Sequence, residues 1–200
     1  MTVMVKICGM RDAAAIAAAV EAGADAIGFV FFEKSPRNVA PETAARLATA
    51  IPSHVRRVAV TLHPDPLMWV EIEAILRPDV LQTDIGDYSY LDVADGIEKW
   101  PVLREGAVPE SGPPAGPFVY EGRMSGVGET VDWGVAAELA RHGSMILAGG
   151  LTAGNVATAI EQVAPRGVDV SSAVESAPGV KDIRMIEAFI AAAKANLEKG

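Results

Sequence analysis

The amino-acid sequence predicts an α/β protein in which eight parallel strands alternate with helices and close into a (β/α)₈ barrel. Apolar runs of strand length recur at intervals of roughly 25 residues, and nearly every run is followed by a segment with helical signals. The runs are apolar almost throughout, as expected for parallel strands buried on both faces. An open doubly wound sheet is the alternative, but it more usually has about five or six strands.

Each element has local support. Asp12 is a suitable N-cap and Gly23 a suitable left-handed C-cap for the first helix, and Pro41 and Pro66 suit the first turns of the next two. Strands are predicted at residues 3–8, 26–32, 57–62, 80–82, 100–103, 118–121, 145–148 and 168–170. Helices are predicted at residues 12–22, 41–50, 65–77, 91–99, 133–142, 155–163 and 182–198.

The alternation breaks after the fifth strand. Residues 106–117 hold four prolines and three glycines and have no helical periodicity, so the fifth helix is expected to be missing or rudimentary. No linker or shift in composition divides the chain. Residues 1–200 are therefore expected to form one domain, a single barrel.

Composition excludes several classes of protein. Half of the 200 residues are apolar, and the formal net charge of −9 argues against a nucleic-acid-binding surface. One cysteine cannot form an internal disulfide, and the longest alanine-rich stretch is too short to span a membrane. With no recognisable signal peptide, we expect a cytoplasmic protein with no membrane or nucleic-acid partner, either a monomer or a homodimer.

Candidate catalytic residues fall where predicted strands end, which is the active-site edge of such a barrel. Cys8 ends the first strand near Lys6, whose charge would stabilise a thiolate base; the alternative is a small buried apolar side chain. Arg37 follows the second strand and could grip a carboxylate through two hydrogen bonds, or be a solvated loop charge. Glu121 ends the sixth strand, where an acid would face the site, although surface glutamates are common. Asp132 is better explained as a helix N-cap.

A phosphate site is predicted after strands seven and eight. Gly149 and Gly150 let the backbone approach an anion, and Ser171 and Ser172 add hydroxyl donors. Tight turns are the alternative for each loop taken alone, but two such loops in consecutive units favour phosphate. The three histidines lack metal-ligand spacing, so no metal is expected.

Taken together, these stretches resemble the phosphoribosylanthranilate isomerase family, which acts in tryptophan biosynthesis. The resemblance covers nearly the whole chain, and its opening and closing motifs are the most specific. It is carried by residues 5–10, 23–31, 35–37, 81–82, 125–128 with 132–133, 148–152 with 155–156, 168–172, and 175 with 178–182.

The resemblance implies a TIM barrel that catalyses an Amadori rearrangement without cofactor or metal. N-(5′-phosphoribosyl)anthranilate would become 1-(o-carboxyphenylamino)-1-deoxyribulose 5-phosphate by general acid–base catalysis. Cys8 matches the family's base and Glu121 stands at the position of its acid. Arg37 matches the residue that binds the anthranilate carboxylate, and Asp169 matches a carboxylate close to the substrate. Lys6 is assigned to substrate binding together with these two residues. The phosphate loops match Gly149, Gly150, Ser171 and Ser172.

The chain departs from the family pattern in four places. The family's acid is an aspartate, whereas Glu121 is longer by one methylene. After strand four, Gln-Leu-His-Gly is replaced by Gln82-Thr83-Asp84-Ile85, and in the last loop Ala173 replaces a glycine. The fourth departure is the missing fifth helix.

Two other functions are weighed against the isomerase. An isomerase of the histidine-pathway aminoaldose resembles two half-barrels with aspartates ending strands one and five, whereas strand one here ends in Cys8. A phosphosugar-binding barrel with impaired catalysis would fit the altered acid and the lost helix. Cys8 and Arg37 argue against it, because a binder needs no thiol base.

Overall fold

The computed structural model describes residues 3–124 and 130–195, and its eight parallel strands form a closed barrel. Each strand pairs with the next, and β8 closes the ring against β1. This is the arrangement of a TIM barrel, so the predicted fold class is confirmed. The strands are β1 Met4–Cys8, β2 Ala26–Phe31, β3 Arg56–Thr61, β4 Val80–Asp84, β5 Glu98–Arg104, β6 Pro117–Glu121, β7 Ser144–Leu147 and β8 Gly167–Val170.

Six α-helices cover the described parts of the barrel wall. Side-chain caps begin four of them: Asp12, Asp65, Asp132 and Asp182 each accept backbone N–H hydrogen bonds from the first turn. The helices are α1 Ala13–Glu21, α2 Pro41–Ala48, α3 Pro66–Leu76, α4 Trp133–His142, α5 Val156–Val163 and α6 Ile183–Lys194. The predicted end of the last helix at residue 198 and the motif at 125–128 lie outside the described residues.

The wall outside β4 and β5 is built differently. A 3₁₀ turn, Ile85–Ser89, follows β4, and the predicted helix at residues 91–99 is wrong. Leu91 and Val93 are buried while Asp92 and Ala94 are exposed, which is the two-residue period of extended chain, and residues 98–99 already belong to β5. No helix follows β5 either, as predicted.

Apolar packing on both sides of the sheet fixes the barrel. Inside, a cluster of apolar side chains, mostly small or branched and including one tryptophan, fills the core: Ala26, Val58, Val80, Trp100, Val102, Val119, Ile146 and Ala148. Outside, Tyr88, Leu91, Val93 and Val108 pack against the main core and cover the strands that lack helices. The barrel therefore closes without an α-helix after β4 or after β5. None of the described helices is long and apolar enough to cross a bilayer.

Candidate active site

A cavity of about 910 Å³ opens at the carboxyl ends of the strands, the edge at which barrel active sites lie. Its volume falls within the range of roughly 300–1,000 Å³ that is usual for small-molecule sites. Six predicted residues line it together: Cys8, Arg37, Glu121, Asp169, Ser171 and Ser172. The sequence thus brings residues from five different strand ends or loops to one site.

Cys8 ends β1 at the floor of this cavity, with 6% of its surface exposed. It pairs in register with Gly28 on β2, and a Cβ at Gly28 would lie 3.0 Å from the Cys8 Sγ. Any side chain at position 28 would crowd the sulfur, so glycine there leaves it room. A glycine inside a strand is a sequence signal for such a close approach, and the sequence reasoning did not use it.

Lys6 does not line the cavity but lies fully buried beneath it. Its Nζ donates a hydrogen bond of 2.9 Å to Asp169 Oδ1, and the two residues are register partners on β1 and β8. Burial alone would lower the pKa of Lys6, but the charges of Asp169 and Cys8 outweigh it and the pKa is raised. The ammonium therefore stays charged directly behind the cysteine and the aspartate.

Two lysines act on the Cys8 thiol. Burial raises its pKa, the Asp169 carboxylate raises it further, and Lys6 and Lys181 oppose both effects. Lys181 belongs to a short hairpin after β8, formed by β9 Glu175–Ala177 and β10 Val180–Lys181. Although the sequence motif contained Lys181, its proximity to Cys8 arises only from folding across 173 positions of chain.

Arg37 makes a paired hydrogen bond to a carboxylate of the protein itself. Its Nε and Nη2 donate to the two oxygens of Glu175 at 2.8 and 2.9 Å, and Glu175 also accepts 2.8 Å from Lys181 Nζ. Burial would raise the pKa of Glu175, but these two cations lower it. Arg37 is thus held rigidly at the cavity wall, packed so closely on Gly9 that a Cβ there would lie 2.6 Å from its Cδ.

Glu121 lies on the opposite side, at the end of β6. Its Oε1 accepts a hydrogen bond of 2.9 Å from Arg104 Nη1 at the end of β5. Arg104 in turn binds Asp84 at the end of β4 through Nη2, at 2.6 Å, and Nε, at 3.2 Å. Arg104 was not identified from the sequence, because no motif relates it to Glu121 or Asp84.

The predicted phosphate loops meet in a smaller cavity of about 60 Å³ next to the main one. Gly149 and Gly150 have positive φ angles of 86° and 61°, and a Cβ at Gly150 would lie 2.5 Å from Thr130 Oγ1. Ser171 and Ser172 line both cavities, and Ser172 begins a 3₁₀ turn, Ser172–Val174. The loops after β7 and β8 therefore lie together, beside the main cavity.

Asp132 lies elsewhere, as the N-cap interpretation predicted. Its Oδ1 accepts hydrogen bonds from the backbone N–H groups of Gly134 and Val135, and it lines neither cavity. Within residues 3–124 and 130–195, no group of three His, Cys, Asp or Glu side chains is placed to hold a metal ion.

Comparison with known proteins gives one consistent family. The family model described as N-(5′-phosphoribosyl)anthranilate isomerase matches residues 5–84 and 116–192, and the unmatched stretch contains the wall without helices. A curated relative of that name from Brucella canis is 36% identical over 219 residues, covering 99% of this chain and 97% of its own length.

Solved structures agree. Phosphoribosyl anthranilate isomerase from Thermotoga maritima has a TM-score of 0.83 at 29% identity, covering 96% of this chain and 99% of that one. A phosphoribosyl anthranilate isomerase in complex with reduced 1-(o-carboxyphenylamino)-1-deoxyribulose 5-phosphate has a TM-score of 0.80 at 29% identity, with the same coverage.

Proposed function

This chain belongs to the N-(5′-phosphoribosyl)anthranilate isomerase family, and we propose that Cys8 and Glu121 are the base and the acid of its Amadori rearrangement. The observation that carries this assignment is that both side chains line one cavity, which adjoins the glycine–serine phosphate loops. We call Lys6, Cys8 and Asp169 the base side of the cavity, and Asp84, Arg104 and Glu121 the acid side.

The reaction needs two proton transfers to different atoms of the sugar. Glu121 gives a proton to the furanose ring oxygen as its bond to C1′ breaks, leaving an iminium between C1′ and the anthranilate nitrogen. The Cys8 thiolate then removes the proton from C2′, and the electron pair forms the enol. A proton added at C1′ and the loss of the enol proton give the ketose, so atoms and electrons balance without a cofactor.

The base side supplies a thiolate under unusual conditions. Burial disfavours the charged sulfur, while Lys6 and Lys181 favour it, so the thiolate is a strong base once formed. The iminium also acidifies the C2′ proton. In our proposal Lys6 acts through Asp169 rather than by touching the substrate, since its ammonium is fully buried. Asp169 lines both cavities and can accept a hydrogen bond from a sugar hydroxyl.

The remaining residues bind the two ends of the substrate. Gly149, Gly150, Ser171 and Ser172 surround the smaller cavity, where backbone and hydroxyl donors can hold the phosphate. Arg37 lies across the main cavity and attracts the anthranilate carboxylate. Two nitrogens of Arg37 are hydrogen-bonded to Glu175, so its guanidinium is fixed in place. In our proposal it attracts the substrate carboxylate from this position, and not through the two parallel hydrogen bonds predicted from the sequence.

We further propose a cytoplasmic enzyme, as a monomer or homodimer, whose partner is this phosphoribosyl substrate and which has no nucleic-acid partner. A reducing compartment suits a mechanism that needs the single cysteine as a free thiol. One related structure is of monomers generated from the dimeric Thermotoga maritima enzyme, which supports either assembly here. Sedimentation of the purified chain would distinguish them.

The acid assignment is tested with Glu121→Gln against a matched control, Asp132→Asn. Glutamine keeps the shape of Glu121 but cannot give the proton, so turnover should fall by about 10²–10⁴-fold. Asparagine caps helices as well as aspartate does, so Asp132→Asn should keep both fold and turnover. Turnover is followed through the fluorescence of the anthranilate group. If Asp132→Asn is inactive and Glu121→Gln is nearly normal, the assignment is wrong.

The same assay separates the alternatives. Well-folded parent protein that binds the phosphoribosyl compound without turning it over would be a binding barrel. Turnover of the histidine-pathway aminoaldose would indicate the other isomerase. The sequence family and the presence of Cys8 at the end of β1 favour neither.

A further inference from the structure

Three charged side chains connect the ends of β4, β5 and β6. Arg104 donates two hydrogen bonds to Asp84 on one side and one to Glu121 on the other. All three are largely but not fully buried, with side-chain exposures between 15 and 20%. The link joins strands that are neighbours in the barrel, since Arg104 is the register partner of Glu121 and Asp84 that of Val102.

Given the assignment of Glu121 as the acid, we propose that Arg104 is a positioning residue that fixes the Glu121 carboxyl group, and that Asp84 neutralises Arg104 so that Glu121 can hold a proton. Arg104 and Asp84 do not need to touch the substrate for this role.

The length of Glu121 explains why it needs to be held. Glutamate has one more rotatable bond than the aspartate at this position in the family pattern, so its carboxyl group can sweep a larger volume. A charge-assisted hydrogen bond to Arg104 restricts it to one direction. Catalysis is sensitive to such placement, because a displacement of about 1 Å can cost about 10²-fold in rate.

The charge of Arg104 creates a second requirement. A bare guanidinium beside Glu121 would stabilise the carboxylate and make the group a poor acid. Asp84 faces the same guanidinium through two hydrogen bonds and offsets that charge. Asp84 stands where the family pattern has a histidine, and Glu121 stands where it has an aspartate. Arg104 therefore connects two of the positions at which this chain departs from the pattern.

Other titratable residues lie near the acid side and set the background of any titration. His63, in the loop after β3, lies 3.6 Å from Asp84 Oδ2. Glu105, after β5, donates its backbone N–H to the Glu121 carbonyl. Arg123 shares the main cavity with Glu121, and Asp169 shares both cavities. The variants below leave these four side chains unchanged, so shifts are read relative to the parent.

The test measures kcat/KM against pH for Asp84→Asn, Arg104→Met and Arg104→Lys. The relevant inflection is the one that Glu121→Gln removes. Asp84→Asn removes one of the carboxylates that face Arg104 and should move this inflection to lower pH. Arg104→Met removes the cation and should move it to higher pH, with kcat lower by up to about 10²-fold because the carboxyl group is no longer held. Arg104→Lys should restore part of kcat.

The chain offers a matched control at the other end of the barrel. Arg57 on β3 binds Asp79 through the same paired geometry, at 2.8 and 3.0 Å, far from the cavity lining. Asp79→Asn should leave the inflection in place. Thermal unfolding of every variant establishes that it is folded. If Arg104→Met does not fold, the shift of Asp84→Asn to lower pH and the partial activity of Arg104→Lys test the inference.

The possible failures can be told apart. If Glu121→Gln is inactive but neither Asp84→Asn nor Arg104→Lys moves the inflection or kcat, the inference is wrong and the proposed acid stands. If Glu121→Gln keeps the parental rate, the acid assignment itself fails and the inference falls with it. Equal shifts in Asp79→Asn and Asp84→Asn would also overturn the inference, since the effect would then be general.

Discussion

On the base side of the cavity, the Lys6 ammonium is fully buried and Asp169 nearly so, and the charges of Asp169 and Cys8 outweigh burial in setting the pKa of Lys6. On the acid side, Arg104 and its two carboxylate partners remain partly exposed. The acid side holds Asp84 and Glu121, two of the positions at which this chain departs from the sequence pattern that it resembles. The two sides hold their charged groups differently: the base side by a fully buried ion pair, and the acid side by one guanidinium shared between two partly exposed carboxylates.

The largest effect should come from Cys8→Ser, which leaves the base side without its base. A serine hydroxyl has nearly the same size but does not ionise near neutral pH, so turnover should fall by about 10²–10⁴-fold. The anthranilate fluorescence assay measures it, with thermal unfolding as the check on folding. Retention of turnover within tenfold of the parent would exclude Cys8 as the base.

Lys6→Met should destabilise the protein by about 3–5 kcal/mol, because it leaves Asp169 buried without its cation. Arg141→Met is the matched control: its partner Glu138 is exposed on α4, where an ion pair contributes about 0–1 kcal/mol. Denaturant unfolding gives both values. Similar losses for the two variants would show that burial does not distinguish the pairs.

Glu121→Asp restores the family's acid and should lower kcat rather than raise it. The shorter side chain withdraws the carboxyl group from Arg104 and from its place in the cavity, at a cost of up to about 10²-fold. The control is Glu98→Asp. Glu98 lies on the same face of the sheet as Arg104 but at the other end of β5, so this change should have no effect on kcat. A faster Glu121→Asp enzyme would contradict the view that this side was rebuilt around glutamate.

Titration of the single cysteine should show a pKa above the ordinary thiol value of about 8.5, since burial raises it. The ultraviolet absorbance of the thiolate reports it, and Cys8→Ser is the blank. Because the folded state holds this proton more tightly, the stability due to Cys8 is present below the unfolded-state pKa. It is lost as pH rises towards the folded-state pKa. A pKa below the ordinary value would mean that the two lysines outweigh burial.

The smallest effect is expected at His63, beside the acid side. A hydrogen bond to Asp87 raises its pKa, but the side chain is 65% exposed, so solvent screens the pair. Its contribution, below about 1 kcal/mol, is present below pH of about 6.5 and is lost as pH rises through the raised pKa. This contribution is measured by comparing the free energies of unfolding of the parent and of His63→Gln at pH values below and above the pKa of His63. A larger loss would place His63 among the structural charges.

Eight strands, their order and the placement of Cys8 and Glu121 at one edge could be predicted, because strand ends follow directly from apolar runs. Asp169 was assigned only through the family resemblance. The helix predicted at residues 91–99 was wrong, since Leu91 and Val93 fit a helix face about as well as an extended segment. Arg104 was missed for a different reason. Its partners lie 20 and 17 positions away, and only the pairing of β5 with β4 and β6 brings them together.

The wall outside β4 and β5 has a practical consequence for engineering. Four apolar side chains, one from the 3₁₀ turn and three from irregular chain, take the place of two helices there. Residues 109–116 between β5 and β6 carry no buried side chain. Exposed loops of this kind accept foreign segments readily, since little packing is disturbed. A peptide or small domain inserted near Gly112, at the entrance to β6, would test how far barrel closure is independent of its outer shell.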